Sequence, residues 1–89
     1  MLDTDRLDKL LDKYPKLSLI LRSGVISMKM ARRLLDLDKW LMEDLYAELL
    51  ESRAVKGVSS GTFRATPTTI AYLEELDGFK EADDDEYGD

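Results

Sequence analysis

Residues 54–67 read AVKGVSSGTFRATP, and this stretch decides the fold. Two short β-type runs flank Ser59, Ser60 and Gly61, which are residue types that favour a tight turn. The pattern therefore predicts an antiparallel β-hairpin. Pro67 at its end suits the first turn of a following helix, because the N–H that proline lacks has no helical partner there.

The segment Met28–Leu35 lies upstream of the hairpin and has a helical pattern, with Ser27 as its predicted N-cap. A helical wheel separates an apolar side from a basic side. The apolar side carries Met30, Ala31, Leu34 and Leu35, and the basic side carries Lys29, Arg32 and Arg33. The break that follows, residues 36–38, ends in Asp38, which is the predicted cap of the next helix.

That next helix, from Lys39 to about Arg53, is the most strongly periodic part of the chain. Its apolar side carries Leu41, Met42, Leu45, Tyr46, Leu49 and Leu50. Its other side is acidic, since residues 38–53 contain five carboxylates and two cations. Trp40 falls on this polar side, where it either packs against the first helix of the chain or stays exposed as an anchor for a partner.

Further helices are predicted before and after these two helices and the hairpin. Asp3 or Thr4 can cap a first helix that ends before Pro15. Residues 17–21 fit either a buried strand or a helical turn, and we expect a helix over 15–22 with a very short strand after it.

The last predicted helix follows Pro67, directs Ile70 and Leu73 inward and stops near Gly78. Residues 80–89 hold too little apolar surface to order themselves, so the sequence predicts a disordered acidic tail behind a single domain, residues 1–79. The net charge of −6 belongs mainly to this end of the chain, because residues 74–89 carry nine carboxylates and one cation. The body, residues 1–73, is slightly basic at +2.

The composition argues against several classes of protein. The chain contains no histidine and no cysteine, so it lacks the usual general base, the commonest zinc ligand and the Ser-His or Cys-His nucleophile. We therefore expect no enzymatic activity, no metal and no cofactor. No apolar run approaches the roughly 20 residues that span a bilayer. The absence of cysteine fits a reducing cytoplasm, so we expect a cytoplasmic protein without membrane contact.

The order helix, break, helix, hairpin is typical of a winged helix-turn-helix: a mainly α fold of three to five helices with a two- or three-stranded wing. Over residues 25–76 the chain resembles the MarR and PadR families of transcription regulators. The matching segments are Leu49-Leu50-Glu51, Ala54-Val55, Phe63-Arg64-Ala65-Thr66-Pro67 and Ala71-Tyr72-Leu73-Glu74-Glu75-Leu76. The chain departs from these families at Thr68-Thr69 and in its very short wing.

The resemblance implies a small protein that binds double-stranded DNA as a homodimer, as a transcriptional regulator or a DNA-maintenance accessory factor. Expected phosphate contacts are Lys29, Arg32, Arg33, Lys56 and Arg64. Candidates nearest the bases are Ser27, Lys39, Trp40 and Glu43. The same cations also fit a solvated helix face and the protection of a strand edge.

The acidic side of the helix from Lys39 favours an alternative function, because an anionic surface opposes binding to DNA. In this alternative the domain is a protein-interaction adaptor of phage or plasmid type. It docks on a protein partner through Trp40, with Met28 beside it, and through the acidic helix face.

Overall fold

The computed structural model describes the backbone of residues 1–88 and the side chains of residues 1–77. Within that range the chain forms five helices and a three-stranded antiparallel sheet. In chain order the elements are α1 (Thr4–Lys13), α2 (Leu17–Arg22), β1 (Ile26–Ser27), α3 (Met28–Leu35), α4 (Lys39–Glu51), β2 (Val55–Ser59), β3 (Thr62–Ala65) and α5 (Pro67–Gly88). The predicted mainly helical class with a small sheet is confirmed, and residues 17–21 adopt the helical alternative.

The predicted hairpin forms from β2 and β3, and β3 is the central strand because β1 pairs with its other edge. Gly61 closes the turn with φ of 79°, a left-handed conformation that glycine adopts without steric cost. A bulge interrupts the pairing between Gly57 and Ser59. The backbone N–H of Met28 donates to the carbonyl of Gly61 at 2.8 Å, so the turn is held against the start of α3.

Three predicted helix caps are confirmed. The carboxylate of Asp3 accepts from the backbone N–H of Arg6 and therefore caps α1, in preference to Thr4. The hydroxyl of Ser27 accepts from Met30 N–H at 3.0 Å, and the carboxylate of Asp38 accepts from Leu41 N–H at 2.8 Å. Local hydrogen bonds thus fix where α3 and α4 begin, and with them the direction of both helices.

The core is smaller than the apolar helix sides predict. On α4 the buried line is Met42, Leu45 and Leu49, and on α3 the buried residue is Ala31. Four residues predicted on the apolar sides are exposed: Met30 and Leu34 at 47%, Leu41 at 44% and Leu50 at 42%. In a domain this small each helix is covered along one narrow line, so the flanks of a wide apolar stripe remain in solvent.

Helix α5 begins at a network of hydroxyl groups. Thr66 Oγ1 accepts from the backbone N–H of Thr69 at 3.2 Å, and the buried Thr69 hydroxyl donates to the carbonyl of Ala54 at 2.7 Å. Thr68-Thr69 is the position at which the chain departs from the families that it resembles. There Thr69 connects α5 to the base of the hairpin by its hydrogen bond to Ala54.

The end of α5 differs from the sequence-based expectation. The helix passes Gly78 and extends to Gly88, because one glycine costs only about 1 kcal/mol relative to alanine and does not by itself end a helix. Residues 80–88 of the predicted disordered acidic tail thus have the backbone of α5, and residue 89 lies outside the described residues. Among the described residues, no helix combines the length and the apolar content needed to cross a bilayer.

Candidate nucleic-acid interface

A cleft of about 280 Å³ runs between α3 and α4. Its lining residues are Met28, Lys29, Arg32, Lys39, Met42 and Glu43. We call this feature the α3/α4 cleft. It brings four of the predicted DNA-binding residues to one place, and each wall contributes a cation and a methionine.

The charged groups of the α3/α4 cleft are not paired with one another. Among residues 1–77, the ion pairs within 4.0 Å involve Arg6 and Arg22 and none of the cations of the cleft. Glu43 likewise has no cation within that distance in this part of the chain. The cleft therefore presents three cations and one carboxylate whose charges remain available to an external partner.

The C-terminal half of α4 directs its carboxylates to a different side. Arg6 on α1 donates from Nη1 to Glu51 Oε2 at 2.8 Å, and its Nε lies 3.9 Å from Glu48 Oε2. Asp44 lies in a separate groove between α1 and α4, which Lys13 also lines. Three of the five carboxylates in residues 38–53 thus face α1, and two of these share the single positive charge of Arg6, whose Nε also lies 3.9 Å from Asp3 Oδ2.

Trp40 is 72% exposed. Lys39 Nζ lies 5.9 Å from the centroid of the Trp40 ring, within the range of a weak cation–π contact. The interpretation that Trp40 packs against the first helix is therefore wrong. Met28 is half-buried and lines the α3/α4 cleft, whereas Trp40 does not line it.

Two more residues of the predicted α3 site occupy distinct positions. The Ser27 hydroxyl caps α3 by accepting from Met30 N–H, and its own O–H donor is not used in that contact. Arg33 is exposed on α3 but does not line the cleft, whereas Arg32 is half-buried within it. The basic side of α3 is thus divided between the cleft and the open surface.

The two hairpin cations do not line the α3/α4 cleft. Lys56 and Arg64 lie directly opposite each other in the β2–β3 register, and both are exposed. Their neighbours Val55 and Phe63 face the core, so both cations lie on the outer face of the sheet. Arg64 lines a second cleft, formed with α2 and the start of α5, so the structure does not bring it into the α3/α4 cleft.

Sequence reasoning missed Arg6, which contacts two of the α4 carboxylates. Arg6 and Glu51 are 45 positions apart, and no local periodicity connects residues at that separation. No protein-family profile, curated protein or solved structure matches this chain significantly. The residues of the α3/α4 cleft and the charges around it are therefore the basis for assigning a function to this chain.

Proposed function

We propose that the chain is a winged helix-turn-helix protein that binds double-stranded DNA with the α3/α4 cleft. The element order, with β1 before the helix pair and β2–β3 after it, supports this assignment. In a helix-turn-helix the first helix crosses the phosphate backbone and the second enters the major groove by its N-terminal end. Here α3 and α4 occupy those two positions.

The observation that carries the proposal is the separation of charge along α4. Lys39 is at its first turn, whereas Glu51 is twelve residues further, roughly 18 Å along the helix axis. The major groove is only about 8.5 Å deep. A helix that enters by its N-terminus therefore keeps Glu48 and Glu51 outside the groove, where Arg6 offsets part of their negative charge.

The contacts divide by type. Lys29, Arg32 and Arg33 on α3 hold phosphates, and Lys39, Trp40 and Glu43 lie nearest the base edges. Lys56 and Arg64 add phosphate contacts from the hairpin, on a surface separate from the cleft. Two copies acting as a dimer extend the short site that one module of this size can read. The protein then serves as a transcriptional regulator or as an accessory factor in DNA maintenance.

A salt titration tests this function. Each phosphate that a cation contacts contributes about −0.9 to the slope of log K against log salt. Replacing the exposed pair Lys29 and Arg33 by alanine is expected to flatten the slope by up to about 2. The double variant Lys9→Ala, Lys16→Ala makes the same change in net charge on exposed residues that do not line the cleft. Equal effects from both pairs, or no binding to mixed duplex DNA at low salt, would refute the proposal.

The exposure of Trp40 favours a second candidate, the protein-interaction adaptor. An indole that is 72% exposed beside the partly exposed Leu41 suits the centre of a protein interface. The acidic face contributes less to this candidate than the sequence suggests, because Glu48 and Glu51 are paired with Arg6. Binding that persists at high salt and is abolished by Trp40→Ala would favour the adaptor over the DNA-binding protein.

A further inference from the structure

The geometry points to Glu43 as the residue that sets base specificity, by accepting a hydrogen bond from the amino group of a cytosine in the major groove. This inference rests on the proposed DNA-binding function and names the base that the site prefers. Four other carboxylates lie in residues 38–53, so the inference depends on what separates Glu43 from each of them.

The other four carboxylates lie in environments that differ from that of Glu43. Asp38 is the cap of α4 and accepts from the backbone N–H of Leu41. Asp44 lines the groove against α1, and Glu48 and Glu51 lie close to Arg6. Glu43 alone among the five lines the α3/α4 cleft, and it is therefore the carboxylate that meets DNA if the cleft does.

The position of Glu43 on α4 suits contact with a base. It lies one helical turn after Lys39 on the same flank, roughly 6 Å along the axis, well within the depth of the major groove. Its side chain is exposed and has no cation within 4.0 Å among the described residues. The carboxylate oxygens are therefore free to accept from a ligand.

The chemistry of the group selects the base. An ionised carboxylate only accepts hydrogen bonds. In the major groove cytosine presents its N4 amino donor, whereas guanine presents two acceptors and thymine presents an acceptor and a methyl group. Adenine offers a donor beside an acceptor, which suits an amide better than a carboxylate. Cytosine is thus the base that Glu43 fits best.

The surrounding cations make such a carboxylate tolerable. Lys29, Arg32 and Lys39 leave the α3/α4 cleft with a net positive charge, so phosphates are still attracted. When no amino donor faces Glu43, its charge only repels the duplex. Glu43 therefore discriminates partly by penalising the wrong sequences, and its removal should strengthen non-specific binding while it weakens selectivity.

Selection from a pool of randomised duplexes tests the inference with three proteins: the parent, Glu43→Ala and Asp44→Ala. The matched control is Asp44→Ala, which removes the same charge from the neighbouring position on the other side of α4. We expect the parent and Asp44→Ala to enrich cytosine at one position of the site. Glu43→Ala should lose that preference and bind unselected duplex more tightly than the parent.

Titrations of single duplexes give the size of the effect. Replacing the selected C·G pair by T·A should weaken the parent roughly 5- to 150-fold, the range that one good base contact provides, and should leave Glu43→Ala almost unaffected. Glu43→Gln should shift the preference towards adenine, because an amide pairs with its N6 and N7. If Glu43→Ala keeps the cytosine preference, the inference is overturned while the DNA-binding function stands. If the parent binds no duplex, the proposed function falls and the inference falls with it.

Discussion

Arg6 Nη1 lies 2.8 Å from Glu51 Oε2 and joins the first turn of α1 to the last turn of α4. The acidic end of α4 therefore lies against α1, while the start of α4 lies beside the cations of α3 in the α3/α4 cleft. The two ends of one helix consequently have different electrostatic environments. This asymmetry is what makes DNA binding compatible with a helix segment whose formal charge is negative.

The Arg6–Glu51 pair should contribute little to the stability of the fold. Both side chains are well exposed, and exposed ion pairs contribute about 0.2–1 kcal/mol. A double-mutant cycle with Arg6→Ala and Glu51→Ala, measured by urea unfolding, should give a coupling in that range. Because the Debye length falls to about 3 Å in 1 M salt, the coupling should shrink there. A coupling well above this range that persists in 1 M salt would contradict the solvent-exposed geometry.

The Thr69 hydroxyl should stabilise the junction between α5 and the hairpin. Thr69→Val keeps the β-branched shape but removes the buried donor to the Ala54 carbonyl, which retains its bond from Thr66 N–H. The change also removes the hydrogen bond between the Thr69 and Thr66 hydroxyls at 2.9 Å. We expect a loss of about 1–3 kcal/mol in the free energy of unfolding, because each of the two hydrogen bonds has a net value of about 0.5–1.5 kcal/mol. The exposed neighbour provides the control: Thr68→Val should change stability by less than about 0.5 kcal/mol. Equal effects at the two positions would count against the role of Thr69.

Stability at alkaline pH should depend on Tyr72. Its hydroxyl donates to Asp8 Oδ1 at 2.6 Å. This hydrogen bond, together with burial and the nearby charges of Asp8, Asp5 and Glu75, raises the pKa of Tyr72 from 10.0 to about 12. The pKa is higher in the folded state than in the unfolded state. The contribution of Tyr72 to the free energy of unfolding is therefore complete below about pH 10 and is lost as the pH rises towards 12.

Comparison with Tyr72→Phe isolates this contribution. The difference in unfolding free energy between parent and variant should be constant from pH 7 to about 9 and should shrink at higher pH. Urea unfolding curves at several pH values measure it. A difference that grows with rising pH would show that the tyrosine is not held as the neutral donor.

Trp40 should contribute to binding and very little to stability. Because its side chain is 72% exposed, Trp40→Ala should change the unfolding free energy by no more than about 0.5 kcal/mol. The fully buried Phe63 gives the contrast, since Phe63→Ala should cost about 3–5 kcal/mol. DNA affinity should nevertheless fall in Trp40→Ala. A large loss of stability in this variant would show that the indole packs in the folded protein.

Short-range signals were readable from the sequence. Ser27 and Asp38 cap their helices by accepting from N–H groups three residues later in the chain. The residue types at these positions therefore suffice to locate both helix starts. The turn at Gly61 is equally local. These signals, with the order of the elements, suffice for a mainly helical fold with a small hairpin.

Long-range arrangements were not readable. The exposure of Leu41 and Leu50 depends on which neighbours cover α4, and the side on which Arg64 lies depends on the order of strands in the sheet. The contact between Arg6 and Glu51 joins residues 45 positions apart. Some residues of the candidate site could thus be predicted from the sequence. The separation of charge along α4 could not, because it depends on how α1 packs on α4.

Amide chemical-shift mapping during titration with duplex DNA tests the central claim most directly, because it reports which side of α4 meets the ligand. We predict that the largest perturbations fall on residues 28–33 and 39–43, which include the walls of the α3/α4 cleft. Amides of residues 48–53 and of α1 around Arg6 should shift little. Perturbations centred on the α1 side of α4, with the cleft unchanged, would show that DNA is not bound by the α3/α4 cleft.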